Sequence, residues 1–110
     1  MVLINLIDLE QEIKSNPEIQ LINIDSNSEF NKHFIPDSIN IPFDSENFKE
    51  VLIESIPKNK TIVTYSSSKS ENLNKASDLI EELGFKVKVF EEGIESWRNA
   101  GLPVVCKKEI

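Results

Sequence analysis

Apolar positions along the chain alternate between two spacings. Ile7, Leu9 and Ile13, set among Glu10, Gln11 and Glu12, have the period of a short helix. That helix ends near Asn16-Pro17, since the residue before proline avoids helical geometry. Ile19 to Asp25 (IQLINID) then reads as a buried strand, and Ser28 to Phe34 as a short helix with Ser28 as its cap. Ser38 to Ile41 is a short strand closed by Pro42, and Phe48, Val51, Leu52 and Ile56 return to helical spacing before Pro57. Thr61 to Tyr65 (TIVTY), rich in β-branched residues and closed by an aromatic, is the clearest strand. A polar loop follows it, Ser66-Ser67-Ser68-Lys69-Ser70. Leu73, Ala76, Leu79, Ile80 and Leu83 share one helical face, which Gly84 terminates. Val87, Val89 and Phe90 form another strand, and Ile94, Trp97 and Arg98 open a last helix that stops at Gly101 before Pro103. The alternation predicts an α/β fold, a mostly parallel sheet of about five strands with helices on both faces. Ligands of such sheets sit beyond the carboxyl ends of the strands, so the loop after Tyr65 is the place to look for a site.

The chain has 110 residues, enough for one domain over 1–110 with its own core. Cys106 is the only cysteine, which excludes an internal disulfide and a cysteine-based zinc site; no metal or cofactor is expected. No apolar run approaches the roughly 20 residues of a membrane span, and the first residues lack the pattern of a signal peptide, which implies a cytoplasmic protein. Net charge is −7. Such a surface repels phosphate backbones and anionic lipid, which argues against nucleic acid or membrane as a partner. Arg98 is the only arginine, so the usual bidentate clamp for anions is scarce.

Four punctuated stretches, in order, resemble the rhodanese-like family. Glu29-Phe30 with Ile35-Pro36-Asp37-Ser38-Ile39-Asn40-Ile41-Pro42 resembles the family's "EF…HIPGAINIP". Thr61 to Tyr65 resembles the strand that delivers the active-site loop, Glu92-Gly93-Ile94-Glu95-Ser96-Trp97 its "GGIxxW", and Ala100-Gly101-Leu102-Pro103-Val104 its "AGxPV". The resemblance spans nearly the whole chain and implies a rhodanese-like α/β domain with a central parallel sheet of five strands and helices on both faces. The departures bear on chemistry. The family loop is a Cys, four residues and an Arg, often with Gly fourth; those positions fall on Ser66, Glu71 and Lys69. Gly84 lies one residue further from Ser66 than the family spacing gives, which leaves Ser67 as the alternative occupant of the nucleophile slot. The "DVR" pair falls on Asn23 and Asp25, the "GH" pair on His33 and Phe34, and the first Gly of "GG" on Glu92.

A sulfurtransferase of this kind passes sulfur through a cysteine persulfide, whose thiolate needs loop amides and a nearby cation. A serine hydroxyl has no comparable anion, and Glu71 would add negative charge beside the loop. The resemblance therefore implies a catalytically inactive module with a binding or regulatory role. Its loop, Ser66, Ser67, Ser68, Lys69, Ser70 and Glu71, would take an unidentified protein partner or a small anion in a nest of amides. The alternative is an enzyme, a divergent sulfurtransferase or a hydrolase working from the Ser66–Ser70 loop. Ser66 and Lys69 have the Ser-x-x-Lys spacing of some acyl-enzymes, although a serine-rich loop matches it by chance. Ser66, His33 and Asp25 supply the residue types of a triad, without a Gly-x-Ser-x-Gly elbow. Against these stand plainer readings: Ser68 and Glu71 as a capping box, His33 as a partly exposed helix end, Cys106 as an incidental thiol beside Lys107 and Lys108, and Trp97 as core.

Overall fold

Strand β4 (Thr61–Tyr65) is the axis of the molecule, with residues 62 to 65 each at 0% exposure in the computed structural model, which describes residues 1–67 and 70–107. The remaining elements, in chain order, are β1 (Val2–Leu3), α1 (Leu6–Ser15), β2 (Ile19–Asn23), α2 (Asn27–Lys32), β3 (Ile39–Asn40), α3 (Phe48–Ser55), α4 (Glu71–Glu82), β5 (Lys86–Phe90) and α5 (Gly93–Asn99). All strand pairs are parallel, in the order β1-β5-β4-β2-β3. A parallel neighbour needs a crossover, and the intervening helices supply it. The expected α/β architecture, a parallel five-stranded sheet, is therefore the observed one.

Side chains alternate across the sheet, so each strand feeds two cores. On one face Ile22, Ile62, Val87 and Val89 pack against Phe48 and Leu52 of α3 and Leu73, Ala76 and Ile80 of α4. On the other, Leu21, Val63, Tyr65 and Phe90 pack against Leu9 of α1 and Ile94 and Trp97 of α5. Trp97 is core, as its spacing predicted, and its indole N–H donates to the Pro103 carbonyl at 2.7 Å. One polar contact crosses the first core: the Thr64 hydroxyl lies 2.7 Å from that of Ser77, which donates to the Leu73 carbonyl at 2.7 Å. A buried hydroxyl pair satisfied in this way avoids the cost of an unpaired group.

Three local expectations need correction. Strand β1 had no signature in the sequence: it is two residues long, Val2 and Leu3 are each 62% exposed, and only backbone pairing with Lys88 and Val89 defines it. The cap of α2 is Ser26, which accepts from the Glu29 amide at 3.3 Å, so the helix starts earlier than Ser28. The cap of α4 is Ser70, which accepts from the Leu73 amide at 3.1 Å. A cap at Ser70 puts Leu73, not Glu71, at the third helical position, so the expected capping box with Ser68 is not the one that starts this helix. Ser68, Lys69 and Lys108 lie outside the described residues. No helix among the described residues is long and apolar enough to cross a membrane.

Candidate functional site

Beyond the carboxyl end of β4 the apolar pattern stops at Ser66, which is 2% exposed. Helix α5 and the segment leaving β2 hold this first turn. The Ser66 carbonyl accepts the Ile94 amide of α5 at 3.3 Å. From β2, the register that pairs Asn23 with Tyr65 continues past both strands, where the Ile24 amide donates to the Tyr65 carbonyl at 3.2 Å. The same register brings Asp25 level with Ser67, whose backbone N–H donates to Asp25 Oδ2 at 2.8 Å.

Asp25 is itself fixed. Its amide donates to Asn23 Oδ1 at 2.9 Å, and Asn23 Nδ2 donates to Asp25 Oδ2 at 3.2 Å. Asn40, next along the sheet, donates from Nδ2 to the Asp25 carbonyl at 2.9 Å and to Asn23 Oδ1 at 3.2 Å. Burial pushes the Asp25 carboxyl above its usual range, against the lowering bonds from Asn23 and Ser67. Beneath this network the Tyr65 hydroxyl accepts the Ile35 amide at 3.2 Å and lies 2.8 Å from the Ser38 hydroxyl. Burial likewise raises the Tyr65 phenol.

On the opposite side, Gly93 presses on the turn. It has φ +76°, and a Cβ built there would lie 2.9 Å from the Ser66 carbonyl oxygen and 3.0 Å from that of Ser67. Both the left-handed backbone and the close approach demand glycine. Glu92 just before it has φ −63° and ψ −28°, ordinary helical values, so losing glycine there costs nothing locally. Asp37, at the glycine of the "IPGA" stretch, has φ +67°, a conformation that aspartate tolerates better than most residues.

The other candidate residues are not assembled. Glu71 opens α4 with its side chain 82% exposed and 3.3 Å from Lys75 Nζ, a partner along its own helix. The carboxylate that meets the turn is Asp25, so the charge expected from Glu71 comes from a different residue. His33 ends α2, partly buried, and its Nδ1 has no hydrogen-bond partner among the described residues. In a serine triad that nitrogen donates to the aspartate; here Asp25 bonds Ser67 and Asn23 instead. Cys106 is exposed in a tail segment docked on Phe34 through the Val105 backbone. Among the described residues, His33 and Asp25 do not form the hydrogen bond that a triad with Ser66 requires. A hollow of about 230 Å³ lined by Ile13, Pro36, Trp97 and Leu102 has neither Asp25 nor Ser66 in its wall.

The sequence places Ser66 in the loop but gives Asn40 no role, and gives Asp25 a motif position and a place in a candidate triad, not a bond to the Ser67 amide. The available signal was a lone asparagine in each of two otherwise apolar runs, Ile22-Asn23-Ile24 and Ile39-Asn40-Ile41. A buried amide such as that of Asn23 needs partners, and here the half-buried Asn40 and Asp25 supply them.

Comparison with known proteins bears on the family and the fold. The family model described as "Rhodanese-like domain" matches residues 6–100. A protein of Bacillus halodurans is 27% identical and superposes with a TM-score of 0.84, over 96% of this chain and 77% of that one. A rhodanese-related protein of Thermoplasma volcanium is 26% identical, with a TM-score of 0.79 over 96% of this chain and 98% of that one. The thiosulfate sulfurtransferase of Pseudomonas aeruginosa, at 13% identity, shares the fold with a TM-score of 0.77; the alignment covers 98% of this chain and 21% of that enzyme. No curated protein matches the sequence.

Proposed function

From a chain that belongs to the rhodanese-like domain family, we propose a pseudoenzyme: a cytoplasmic binding or regulatory module that keeps the sulfurtransferase scaffold and does not transfer sulfur. The observation that carries this reading is Ser66. It is buried directly after β4, where the family places its cysteine, and it presents a hydroxyl in place of a thiol. Persulfide chemistry needs a thiolate attacking a sulfane sulfur, and a serine oxygen is neither ionised at neutral pH nor able to carry the sulfur. Ser67, the alternative occupant, has the same chemistry, with its amide already bonded to Asp25. The module's ligand is a protein partner or a small anion met at this end of the sheet.

The test is thiocyanate formation from thiosulfate and cyanide, together with mass spectrometry for persulfide after exposure to thiosulfate. The expected result is no turnover above buffer and no added sulfur. Turnover lost in Ser66→Ala would restore the enzymatic reading at this loop. Turnover lost instead in Cys106→Ser would move the activity to the exposed tail thiol.

A further inference from the structure

The turn that follows β4 already holds an anion, and that anion belongs to the chain. We infer that Asp25 is an autoinhibitory latch: its carboxylate occupies the Ser67 N–H, and the turn offers that amide to an external oxyanion only when the carboxylate is protonated or removed. The inference rests on the reading of the turn as a binding site and narrows what it takes. With the latch engaged, the Ser67 amide is closed to an external oxyanion.

The contact is set by the sheet. Register and the 2.8 Å bond to Ser67 put the carboxylate where an amide-seeking anion would stand. A bond from N–H to an ionised carboxylate is of the stronger kind, so a weakly held solute ion does not displace it readily. The latch is also braced. Asn23 and Asn40 hold the Asp25 backbone and Oδ2, while Gly93 blocks the far side of the turn at contact distance. Ser67 cannot keep its place and turn its amide elsewhere without breaking that packing. The Asn23 and Ser67 donors both reach Oδ2, and among the described residues no lysine or arginine forms an ion pair with Asp25. The ionisable groups that bear on it are Glu29 of α2, which favours its protonated form, and the Tyr65 phenol of β4. Desolvation acts in the same direction as Glu29, so the latch opens at a less acidic pH than an ordinary aspartate would require.

The experiment uses the full chain labelled with 15N and 13C. The Ser67 amide is followed against pH, and then against sodium sulfate at neutral pH. In the wild type the Ser67 amide proton is expected to shift with the same midpoint as the Asp25 carboxyl carbon, above the usual aspartate range, and to ignore sulfate. Asp25→Asn should lose that pH response, and Asp25→Ala should gain a saturable sulfate shift at Ser67. If Asp25→Ala does not fold, Asp25→Asn and the wild-type titration decide the matter. A Ser67 amide that stays flat while Asp25 titrates overturns the latch. So does a wild-type response to sulfate equal to that of the alanine variant, or an alanine variant that ignores sulfate. Thiocyanate turnover by the wild type would instead overturn the non-catalytic reading and leave the Ser67 titration standing.

Discussion

Strand β4 and the two residues beyond it are held by opposite kinds of force. Along the strand, Ile62 and Val63 are sealed on either face by aliphatic and aromatic side chains, with Thr64–Ser77 as one satisfied polar pair. At the end of the strand, Ser66 and Ser67 meet amides, a carboxylate and a glycine. The first region gains stability from area removed from water, roughly 1.5–3 kcal/mol for each large side chain, and asks only for size and pattern. The second gains from directional bonds that each need one partner in one place. Substitutions at the polar end can therefore change chemistry without disturbing the scaffold. A domain with Ser66 and Asp25 at this end of the sheet still superposes on its relatives.

Three measurements would break or sharpen that contrast. The largest effect is expected in the core. Ile62→Ala removes a fully buried side chain at the centre of the sheet and should cost about 2–5 kcal/mol in denaturant unfolding. A loss below 1 kcal/mol would mean that the strand is not the structural axis described. Next comes the residue that spans both regions. Tyr65→Phe keeps the ring in its core but strands the Ile35 amide, while the Ser38 hydroxyl keeps its bond to the Ile35 carbonyl, at a cost of about 1–3 kcal/mol. A variant as stable as wild type would show that water replaces the phenol and that the two regions are less coupled than the geometry indicates.

The smallest effect separates two carboxylates by the sign of their pH dependence. Glu12 of α1 lies 2.7 Å from Lys88 Nζ, and bonds from Lys88 and Asn16 lower its carboxyl. Its stabilisation is present above its unfolded value and is lost as pH falls through the folded one. Asp25 runs the other way. Its folded carboxyl is raised, so the native state binds the proton more tightly, and stability is lost as pH rises from the unfolded value through the folded one. In thermal melts across the acidic range, the advantage of wild type over Glu12→Gln should grow with pH, while Asp25→Asn should gain on wild type. Parallel trends for the two variants would remove the distinction between a paired surface carboxylate and a desolvated one.

What the sequence determined by itself was the scaffold. Period-2 and period-3.6 apolar spacing located α1, β2, α3, β4, α4 and β5, because burying those faces dominates the folding energy and leaves its mark on every third, fourth or second residue. The ordered motif fragments placed Ser66 at the loop for the same reason: they punctuate turns that only certain residues can make, as Gly93 at φ +76° illustrates. Strand β1 left no mark, since two exposed residues bury no face and are ordered only by neighbouring backbone. The caps at Ser26 and Ser70 were displaced by two residues within runs rich in serine and asparagine, where several side chains offer equivalent acceptors and the geometry of the turn chooses among them. The Asp25–Ser67 contact joins residues 42 apart in the chain and exists only because β2 and β4 pair in one register. A hydrogen bond depends on distance and direction, which strand pairing sets and hydropathy does not record; the tertiary structure alone decided that the carboxylate at the loop is Asp25 and not Glu71.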